Sequence, residues 1–312
     1  MNTWKLSIKP DSKEGFNAFD FCKKNSYLGV GWSWAYEEEN AKNTNDAKRL
    51  VTKKFNNWPY QLRDLLESVK EGDHLWIHQQ GDYYLCIAEK EIIFGRDISD
   101  DFRSYDLGHV RKAKWIKVPD IFVSGSIQRG TIAQRMIQRI HITQKEQEYS
   151  CLLADRLSED ENWRPSIDNI LLQEHILKLN KFDLFSLMSP DDMEDIVSAY
   201  LQDQGWFLVK STCFRSKPVF EFSMHNKDHK ICNVQVKSGK YPDPLNPLVY
   251  KNFANDNNLV YLFSTNRDAY QGEQVPYVIP IKHEDIINWL TNNLWSLTLP
   301  LKTRLWLFLT SC

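Results

Sequence analysis

In the first part of the chain, from Met1 to about Ile140, apolar and polar residues alternate in short runs. The segment TWKLSI alternates as a strand does, YLGVGWSW is typical of a strand punctuated by glycine, and GFNAFDFCKKN has helical spacing. NDAKRLVTKKFNNWPYQLRDLLESV predicts helical material interrupted near Pro59. DHLWIHQQGDYYLCIAEKEIIF predicts a hairpin that turns between Gln79 and Asp82, and AKWIKVPDIFVSG adds further strands. Several strands with few helices predict a small, partly open β-barrel over this first domain.

Helical periodicity replaces this pattern over residues 141–188. QKEQEYSCLLADRLSED and IDNILLQEHILKLN place apolar residues at helical spacing around a polar break between Glu159 and Pro165. The sequence therefore predicts a helical connector between two domains.

The last part, residues 189–312, predicts a second α/β domain in the order α, three β, α, β, α. SPDDMEDIVSAYLQDQGW has an N-cap at Ser189, a first-turn proline at Pro190 and a natural stop at Gly205. FLVKSTCF, PVFEFSMHN and KICNVQVKSG are typical of strands, LVYKNFAND of a helix, LVYLFST of a strand and HEDIINWLTNNLW of a closing helix. LWSLTLPLKTRLWLFL is interrupted by Pro300 and Lys302, so it predicts an amphipathic packing helix and not a membrane span.

Composition narrows the class of protein. A length of 312 residues predicts two domains, and a formal net charge of −2 means that any nucleic acid must be bound by a local basic face. The six cysteines lie in apolar segments without C-x-x-C spacing, which favours reduced thiols in the cytoplasm over disulfides or a zinc site. The polar N-terminus predicts no signal peptide. No Walker, G-x-S-x-G or H-E-x-x-H motif supports hydrolysis of a nucleoside triphosphate, an esterase or a zinc protease.

Three polar residues interrupt the strands of the last domain. Gln235 and Lys237 are two residues apart and share one face of a strand, while Val236 faces the opposite way. Glu221 lies on the preceding strand, so an antiparallel pairing brings it close to Gln235 and Lys237. Such oxygen ligands suit Mg²⁺, and a lysine stabilises negative charge at phosphorus. The alternative is that Gln and Lys simply occupy an exposed strand face.

The segments MEDIVSAYLQDQGW, VFEFSM and NVQVKSG resemble the PD-(D/E)xK nuclease fold, and the Q-V-K form resembles its Mrr-like restriction endonucleases. The resemblance covers about the last third of the chain. It implies that Glu221, Gln235 and the Val236 carbonyl bind Mg²⁺, with Mn²⁺ as an alternative ion. It also implies that Lys237 serves hydrolysis and that Glu194 orients water or metal.

The chain departs from the commoner pattern of that family, since no P-D dipeptide precedes the acid and the acid is glutamate. His225 and His229 lie in the intervening turn. They are expected to be solvent-facing turn residues in preference to metal ligands.

GVGWSWAY and GDHLWIHQQGDYYLCIAE resemble PUA-like domains of the EVE type, over roughly Thr3 to Ile140. The resemblance implies a reader of modified bases that holds a flipped base in an aromatic pocket. The candidates for this pocket, with the first two on one side of a strand, are Trp32, Trp34, Trp76 and Tyr83. The alternative is that several of these rings fill the core.

The end of this domain is locally basic. SGSIQRGTIAQRMIQRI predicts a helix that carries arginines on one side. The predicted contacts to a DNA backbone are Arg111, Lys112, Lys114, Arg129, Arg135 and Arg139. A solvated face is the alternative.

Together these patterns predict a modification-dependent, type IV-like restriction endonuclease that cuts DNA in defence against phage. A homodimer is a hypothesis, because cutting both strands needs two active sites. The alternatives are a DNA-binding protein with an inactive nuclease fold, and an RNA-binding protein or RNA enzyme.

Overall fold

The computed structural model describes residues 1–132, 135–213, 219–238 and 244–310 of the chain. The protein is a mixed α/β protein with two mixed β-sheets. It divides into two compact units. Unit 1 consists of residues 1–123 and 129–163, and unit 2 of residues 124–128 together with the chain from residue 164 onward.

The sheet of unit 1 has six strands in the order β2-β5-β4-β3-β1-β6. The pair β1–β3 is parallel and the other pairs are antiparallel. The strands are β1 (Thr3–Leu6), β2 (Tyr27–Val30), β3 (His74–Gln79), β4 (Asp82–Phe94), β5 (His109–Val118) and β6 (Ile137–Ile140). β2 and β6 form the two edges, so the described strands show no closed barrel.

The hairpin β3–β4 turns through two residues with positive φ, Gln80 at 57° and Gly81 at 82°. Positive φ at both central positions matches the twist of a two-residue hairpin. The turn predicted between Gln79 and Asp82 is therefore confirmed.

β2 is shorter than its sequence pattern predicts. Trp32 has a left-handed φ of 65°, and a 3₁₀ helix, Ser33–Tyr36, follows it. The backbone N–H and hydroxyl of Ser33 donate to Asp106 Oδ1 at 3.1 and 2.7 Å. These bonds turn the chain away from the strand direction, so Trp32 and Trp34 do not lie on a strand as predicted.

The helices of unit 1 pack their apolar residues on the sheet. They are α1 (Ala18–Lys24), α2 (Thr44–Phe55), α3 (Tyr60–Arg63) with a π-helical turn at Asp64–Ser68, and α5 (Gln144–Glu159). α4 (Gly125–Ile132) crosses the boundary between the units. The predicted interruption near Pro59 is confirmed, since α2 and α3 lie on either side of it. The segment predicted as one arginine-bearing helix is instead α4 followed by β6, because β6 pairs with β1.

The residues predicted as a separate connector are shared between the units. α5 packs against β5 and belongs to unit 1. α6 (Asn169–Lys178) and α7 (Lys181–Ser186) belong to unit 2, where Phe185 of α7 contacts Phe263 with ring centroids 5.8 Å apart. The helical prediction is right, but the helices divide between the two compact units and do not form a separate connector.

The sheet of unit 2 has five strands in the order β11-β10-β9-β8-β7. They are β7 (Phe207–Leu208), β8 (Phe222–His225), β9 (Ile231–Lys237), β10 (Asn258–Ser264) and β11 (Val278–Pro280). β7, β8 and β9 are successively antiparallel, whereas β9, β10 and β11 are parallel. The direction of neighbouring strands therefore changes at β9. The predicted order of elements is recovered, with a 3₁₀ helix (Pro247–Phe253) as the second helix and β11 as an unpredicted strand.

Three helices complete unit 2: α8 (Pro190–Asp203), α9 (His283–Asn292) and α10 (Leu299–Thr310). Ser189 caps α8 in a capping box with Asp192, and Pro190 occupies the first turn, as predicted. α10 is the helix predicted from the apolar end of the chain. No helix in the described ranges is both long and apolar enough to cross a membrane.

Candidate functional site

Glu221 and Gln235 meet across β8 and β9. Phe222 is paired with Val234 in the antiparallel register, and the Glu221 N–H donates to the Val234 carbonyl at 2.9 Å. The next step of the register sets Glu221 opposite Gln235. Gln235 Nε2 donates to Glu221 Oε1 at 2.7 Å. The predicted proximity of the acid and the amide is therefore present in the structure.

Gln235 is a buried polar residue in a strand whose other buried residues are apolar. It is 4% exposed, and its neighbours Val234 and Val236 are buried on the opposite face. Its amide also lies 3.3 Å from the carbonyl oxygen of Val236. A buried amide is stable only with such partners, and the bond to a carboxylate is the stronger one.

Lys237 ends β9 and is exposed. Its carbonyl accepts from the Thr265 N–H at 2.9 Å, which fixes the end of β9 beside the end of β10. Strand alternation sets its side chain on the face of Gln235, about 7 Å further along the strand. The Lys237 ammonium forms no ion pair with any residue in the described part of the chain.

A cavity of about 360 Å³ opens beside Glu221. One face of α8 supplies residues at positions i, i+3, i+4 and i+7, which share a side of a helix. The lining residues are Asp191, Glu194, Asp195, Ser198, Leu208, Cys213, Glu221 and Phe222. The structure thus sets Glu194 and Glu221 around the same cavity, as predicted.

The cavity wall is acidic. Burial, together with the charges of Asp192 and Asp191, raises the pKa of Asp195 above its ordinary value. Asp192 itself is engaged by Arg304 and by the cap of α8. Neighbouring carboxylates disfavour the ionised form of Asp195, and a nearby positive charge would relieve this repulsion.

The predicted metal ligands fit a hard cation in their chemistry, since all three are oxygen donors. In the structure, Gln235 Nε2 lies between two of them, Glu221 Oε1 and the Val236 carbonyl oxygen. Rotation of the amide would replace this nitrogen by the Gln235 oxygen. The described residues contain no cluster of three or more His, Cys, Asp or Glu side chains that could hold a metal. The predicted set does not need one, because it uses one carboxylate and two neutral oxygens.

The two histidines of the β8–β9 connection are exposed, as expected of turn residues. His229 has a φ of 61°, and the His225 ring lies 5.7 Å from that of Phe207. Both are at the end of β8 opposite to Glu221.

Tyr250 lies near enough to Glu221 to be affected by its charge, which the sequence did not reveal. It lies in the 3₁₀ helix that precedes β10 and is buried. Burial, and then the charge of Glu221, raise its pKa above the ordinary value. Asp191 and Asp195 were also missed, although Glu194 and Asp195 follow Asp191 at the helical spacings i+3 and i+4, which was a usable signal.

The aromatic residues predicted for a base pocket do not come together in unit 1. Trp76 is 1% exposed on β3, on the same face of the sheet as Tyr83, which stacks on His78 with centroids 4.1 Å apart. Trp32 packs against the core cluster on the opposite face, which contains Ile77. Trp34 is 47% exposed, and the guanidinium carbon of Arg103 lies 5.8 Å from its ring centroid. The single cage of four rings is therefore wrong, because strand alternation and the turn at Trp32 separate its members.

The predicted DNA-backbone residues have different environments. Arg111 is buried, and its guanidinium donates to the backbone carbonyls of Leu65, Leu66 and Glu89, so it supports the fold and is not free to bind phosphate. That part of the prediction is wrong.

Four of the other basic residues are at or near the surface. Lys112 pairs with Glu91 at 2.7 Å, and the Arg135 guanidinium lies 5.9 Å from the ring centroid of Tyr60. Lys114 is exposed on β5, and Arg139 is exposed on β6. Arg129 is partly buried on α4. Contact of these residues with DNA stays a prediction.

Comparison with protein-family models found no family that matches this chain. Searches of curated proteins and of solved structures likewise found no match. Function is therefore inferred from the geometry of the site.

Proposed function

We propose that unit 2 is a Mg²⁺-dependent endonuclease of the PD-(D/E)xK type, which hydrolyses phosphodiester bonds of DNA. The observation that carries this proposal is the hydrogen bond between Gln235 and Glu221. Lys237 lies two residues further along β9, and Glu221 lines an acidic cavity. An acid, an amide and a lysine at one sheet edge are what metal-assisted phosphoryl chemistry needs.

The order of elements supports the same proposal. Helix α8 carries Glu194, β8 begins next to the acid, and β9 carries the Gln–Val–Lys sequence. A further strand, β10, follows in parallel beside β9. This is the order that the resemblance to PD-(D/E)xK nucleases predicts.

Each residue has a defined role in this mechanism. Glu221, Gln235 and the Val236 carbonyl would hold the cation, which supplies charge stabilisation at the phosphate and activates the attacking water. Lys237 stabilises the negative charge that grows on the phosphate oxygens as the water oxygen bonds to phosphorus and the leaving oxygen departs. Glu194 orients the water from the α8 side of the cavity.

The full proposal is a type IV-like restriction enzyme that cuts DNA carrying modified bases, in defence against phage. Unit 1 would provide the recognition of the modified base. Its support is the resemblance of residues 3–140 to PUA-like domains of the EVE type, and not a formed aromatic cage. Dimerisation is part of the proposal only because cutting both strands of the DNA needs two active sites.

Cleavage assays test this proposal. Wild-type protein and the Lys237→Ala variant are incubated with Mg²⁺ and with either unmodified plasmid or DNA rich in modified cytosine. We expect wild-type cleavage of the modified DNA and its loss in Lys237→Ala. Lys227→Ala removes the same charge from the turn at the opposite sheet edge and is expected to cleave normally. Cleavage of both DNAs would support the nuclease activity but contradict the recognition of modified bases by unit 1. Cleavage of neither DNA would overturn the nuclease activity.

A second candidate is a nucleic-acid-binding protein that does not cut. The observation in its favour is that the Gln235 amide already satisfies Glu221 through an internal hydrogen bond. A protein of this kind would bind DNA or RNA but would show no stabilisation by Mg²⁺ or Mn²⁺. Competition between RNA and modified DNA distinguishes the two possible nucleic acids.

A further inference from the structure

Three polar residues line up along one edge of the unit 2 sheet, here meaning the side on which β9 and β10 end. β9 and β10 are parallel and pair Lys237 with Ser264, so the carboxyl ends of both strands lie at the same edge. β8 runs the other way, so its amino end, next to Glu221, lies there too. After β10 the chain continues through Thr265 and Asn266 to Arg267. From β8 to β10, the edge thus presents Glu221, Lys237 and Arg267.

The segment that carries Arg267 is held close to β9. The Thr265 N–H donates to the Lys237 carbonyl at 2.9 Å. The Asn266 N–H donates to Ser264 Oγ at 3.2 Å, and the Asp268 N–H donates to Asn266 Oδ1 at 3.1 Å. These bonds define the position of Arg267 relative to the end of β9.

Arg267 is exposed but its guanidinium is supported from one side. The guanidinium carbon lies 5.1 Å from the ring centroid of Phe182 in α7. Stacking on an aromatic face orders the planar group without using its N–H donors. Lys181 lies over the same ring, but it is paired with Glu284. Arg267 forms no ion pair with a residue of the described ranges, so its donors are available to a ligand.

The geometry points to Arg267 as a positioning residue that binds a backbone phosphate of the nucleic acid, adjacent to the phosphate being cleaved. This inference rests on the proposed function. β10 is the strand next to β9, and Arg267 follows its last residue, Ser264, by three positions. Along this edge Arg267 therefore comes after Lys237 in the direction away from Glu221. A guanidinium binds a phosphate through two parallel hydrogen bonds, which fixes the strand as well as attracting it. Arg267 thereby holds the substrate strand across the site without contacting the reacting atoms.

Binding of DNA by the full chain in EDTA tests this role apart from cleavage. Affinity for a DNA duplex is measured over a range of salt concentrations. We expect Arg267→Ala to bind roughly tenfold more weakly than wild type. The slope of log affinity against log salt concentration should be smaller in magnitude by about one for this variant, since one phosphate contact is lost.

Two further variants act as controls. Lys227→Ala removes one positive charge from the turn at the far edge of the sheet, and its affinity and salt slope should match wild type. Arg267→Lys keeps the charge but loses the planar fork, so it should retain the salt slope and recover only part of the affinity.

The outcomes separate the two proposals. If Arg267→Ala has the same salt slope as Lys227→Ala while the wild type cuts DNA in Mg²⁺, the role of Arg267 is overturned and the nuclease stands. If the wild type binds DNA and Arg267→Ala shows the shallower salt slope, but Mg²⁺ produces no cleavage, Arg267 is a phosphate contact of a binding protein and the nuclease is overturned. If the wild type neither binds DNA in EDTA nor cuts it in Mg²⁺, both proposals are overturned.

Discussion

At the scale of single residues, the contact between Glu221 and Gln235 connects the fold to the proposed chemistry. Gln235 is buried, and its amide finds its partners in the carboxylate and in the Val236 carbonyl. A cation that binds Glu221 must compete with this internal bond. The acid is therefore held in place before any metal arrives, which reduces the ordering that metal binding requires.

The Glu221→Gln variant separates the structural role of this acid from its role in binding a cation. The new amide oxygen still accepts from Gln235, so the free energy of unfolding without metal should change by less than about 1 kcal/mol. The wild type should gain thermal stability with Mg²⁺ or Mn²⁺, because a ligand that binds only the folded state stabilises it. Glu221→Gln should lose this gain.

Thermal unfolding with and without Mn²⁺ is the measurement. Asp228→Asn, in the exposed β8–β9 turn, is the matched control and should respond to the ion as wild type does. An undiminished response in Glu221→Gln would place the cation elsewhere.

At the scale of elements, the position of α8 decides where Glu194 lies. The Ser189 side chain accepts from the Asp192 N–H at 3.0 Å, and the Asp192 carboxylate accepts from the Ser189 N–H at 2.8 Å. This reciprocal cap satisfies two backbone donors that a helix otherwise leaves unpaired. It also fixes the first turn of the helix that lines the cavity.

Ser189→Ala is expected to destabilise unit 2 by about 1 kcal/mol, because an N-terminal cap is lost. Urea unfolding of the full chain measures the difference. Ser211→Ala replaces an exposed serine outside the cap and should leave the midpoint unchanged. Equal midpoints for the two variants would mean that the cap contributes nothing to the stability of α8.

The turn after β2 is the second element whose geometry depends on one side chain. Asp106→Ala removes the acceptor of both Ser33 bonds, next to the left-handed Trp32. We expect a loss of roughly 1–3 kcal/mol and a changed tryptophan emission, because a buried donor is left without a partner. Asp100→Ala, nearby in sequence, is the control. A variant as stable as wild type would show that the turn does not depend on Asp106.

This turn explains why part of the candidate site was not predictable. Asp106, whose side chain bonds Ser33 beside the bend at Trp32, is 73 residues away from Ser33 along the sequence, so no local sequence pattern predicts this contact. By contrast, the meeting of Glu221 and Gln235 follows from strand alternation and one short connection, which are local features. The cap of α8 and the β3–β4 turn are local as well, and the sequence predicts both.

At the scale of the whole molecule, the chain divides into two compact units, each with its own sheet. The sequence predicts two sheets and the helices between them. It does not predict that α5 belongs to unit 1 and that α6 and α7 belong to unit 2, since amphipathic helices do not specify which surface covers them. β6 was missed for a similar reason, because an edge strand of four residues is stabilised by its neighbour, β1.

Acid is expected to destabilise unit 1. Burial lowers the pKa of His74 and of His109 from 6.5 to about 4. The unfolded chain takes up these protons near pH 6.5, whereas the folded chain does so only near pH 4. Their contribution to stability is therefore complete above pH 6.5 and declines as the pH falls towards 4, by about 1.4 kcal/mol per pH unit for each histidine.

Urea unfolding, followed by tryptophan fluorescence at a series of pH values in this window, measures the decline. His109→Gln should show a weaker dependence on pH than wild type, whatever its stability at neutral pH. His225→Gln, which replaces an exposed histidine, should keep the full dependence. An unchanged slope in His109→Gln would contradict the assignment.

The alternation of β9 has a consequence for how this sequence can change over evolution. Cys232, Val234 and Val236 fill the core from one face, and Gln235 and Lys237 serve the other. A one-residue insertion or deletion within the strand would exchange the two faces, turning the valines away from the side that they now pack against and putting Gln235 or Lys237 there. Drift in the length of β9 is therefore removed by misfolding before it can shift the site, so a descendant that still folds keeps positions 235 and 237 on one face of the strand, whatever their role.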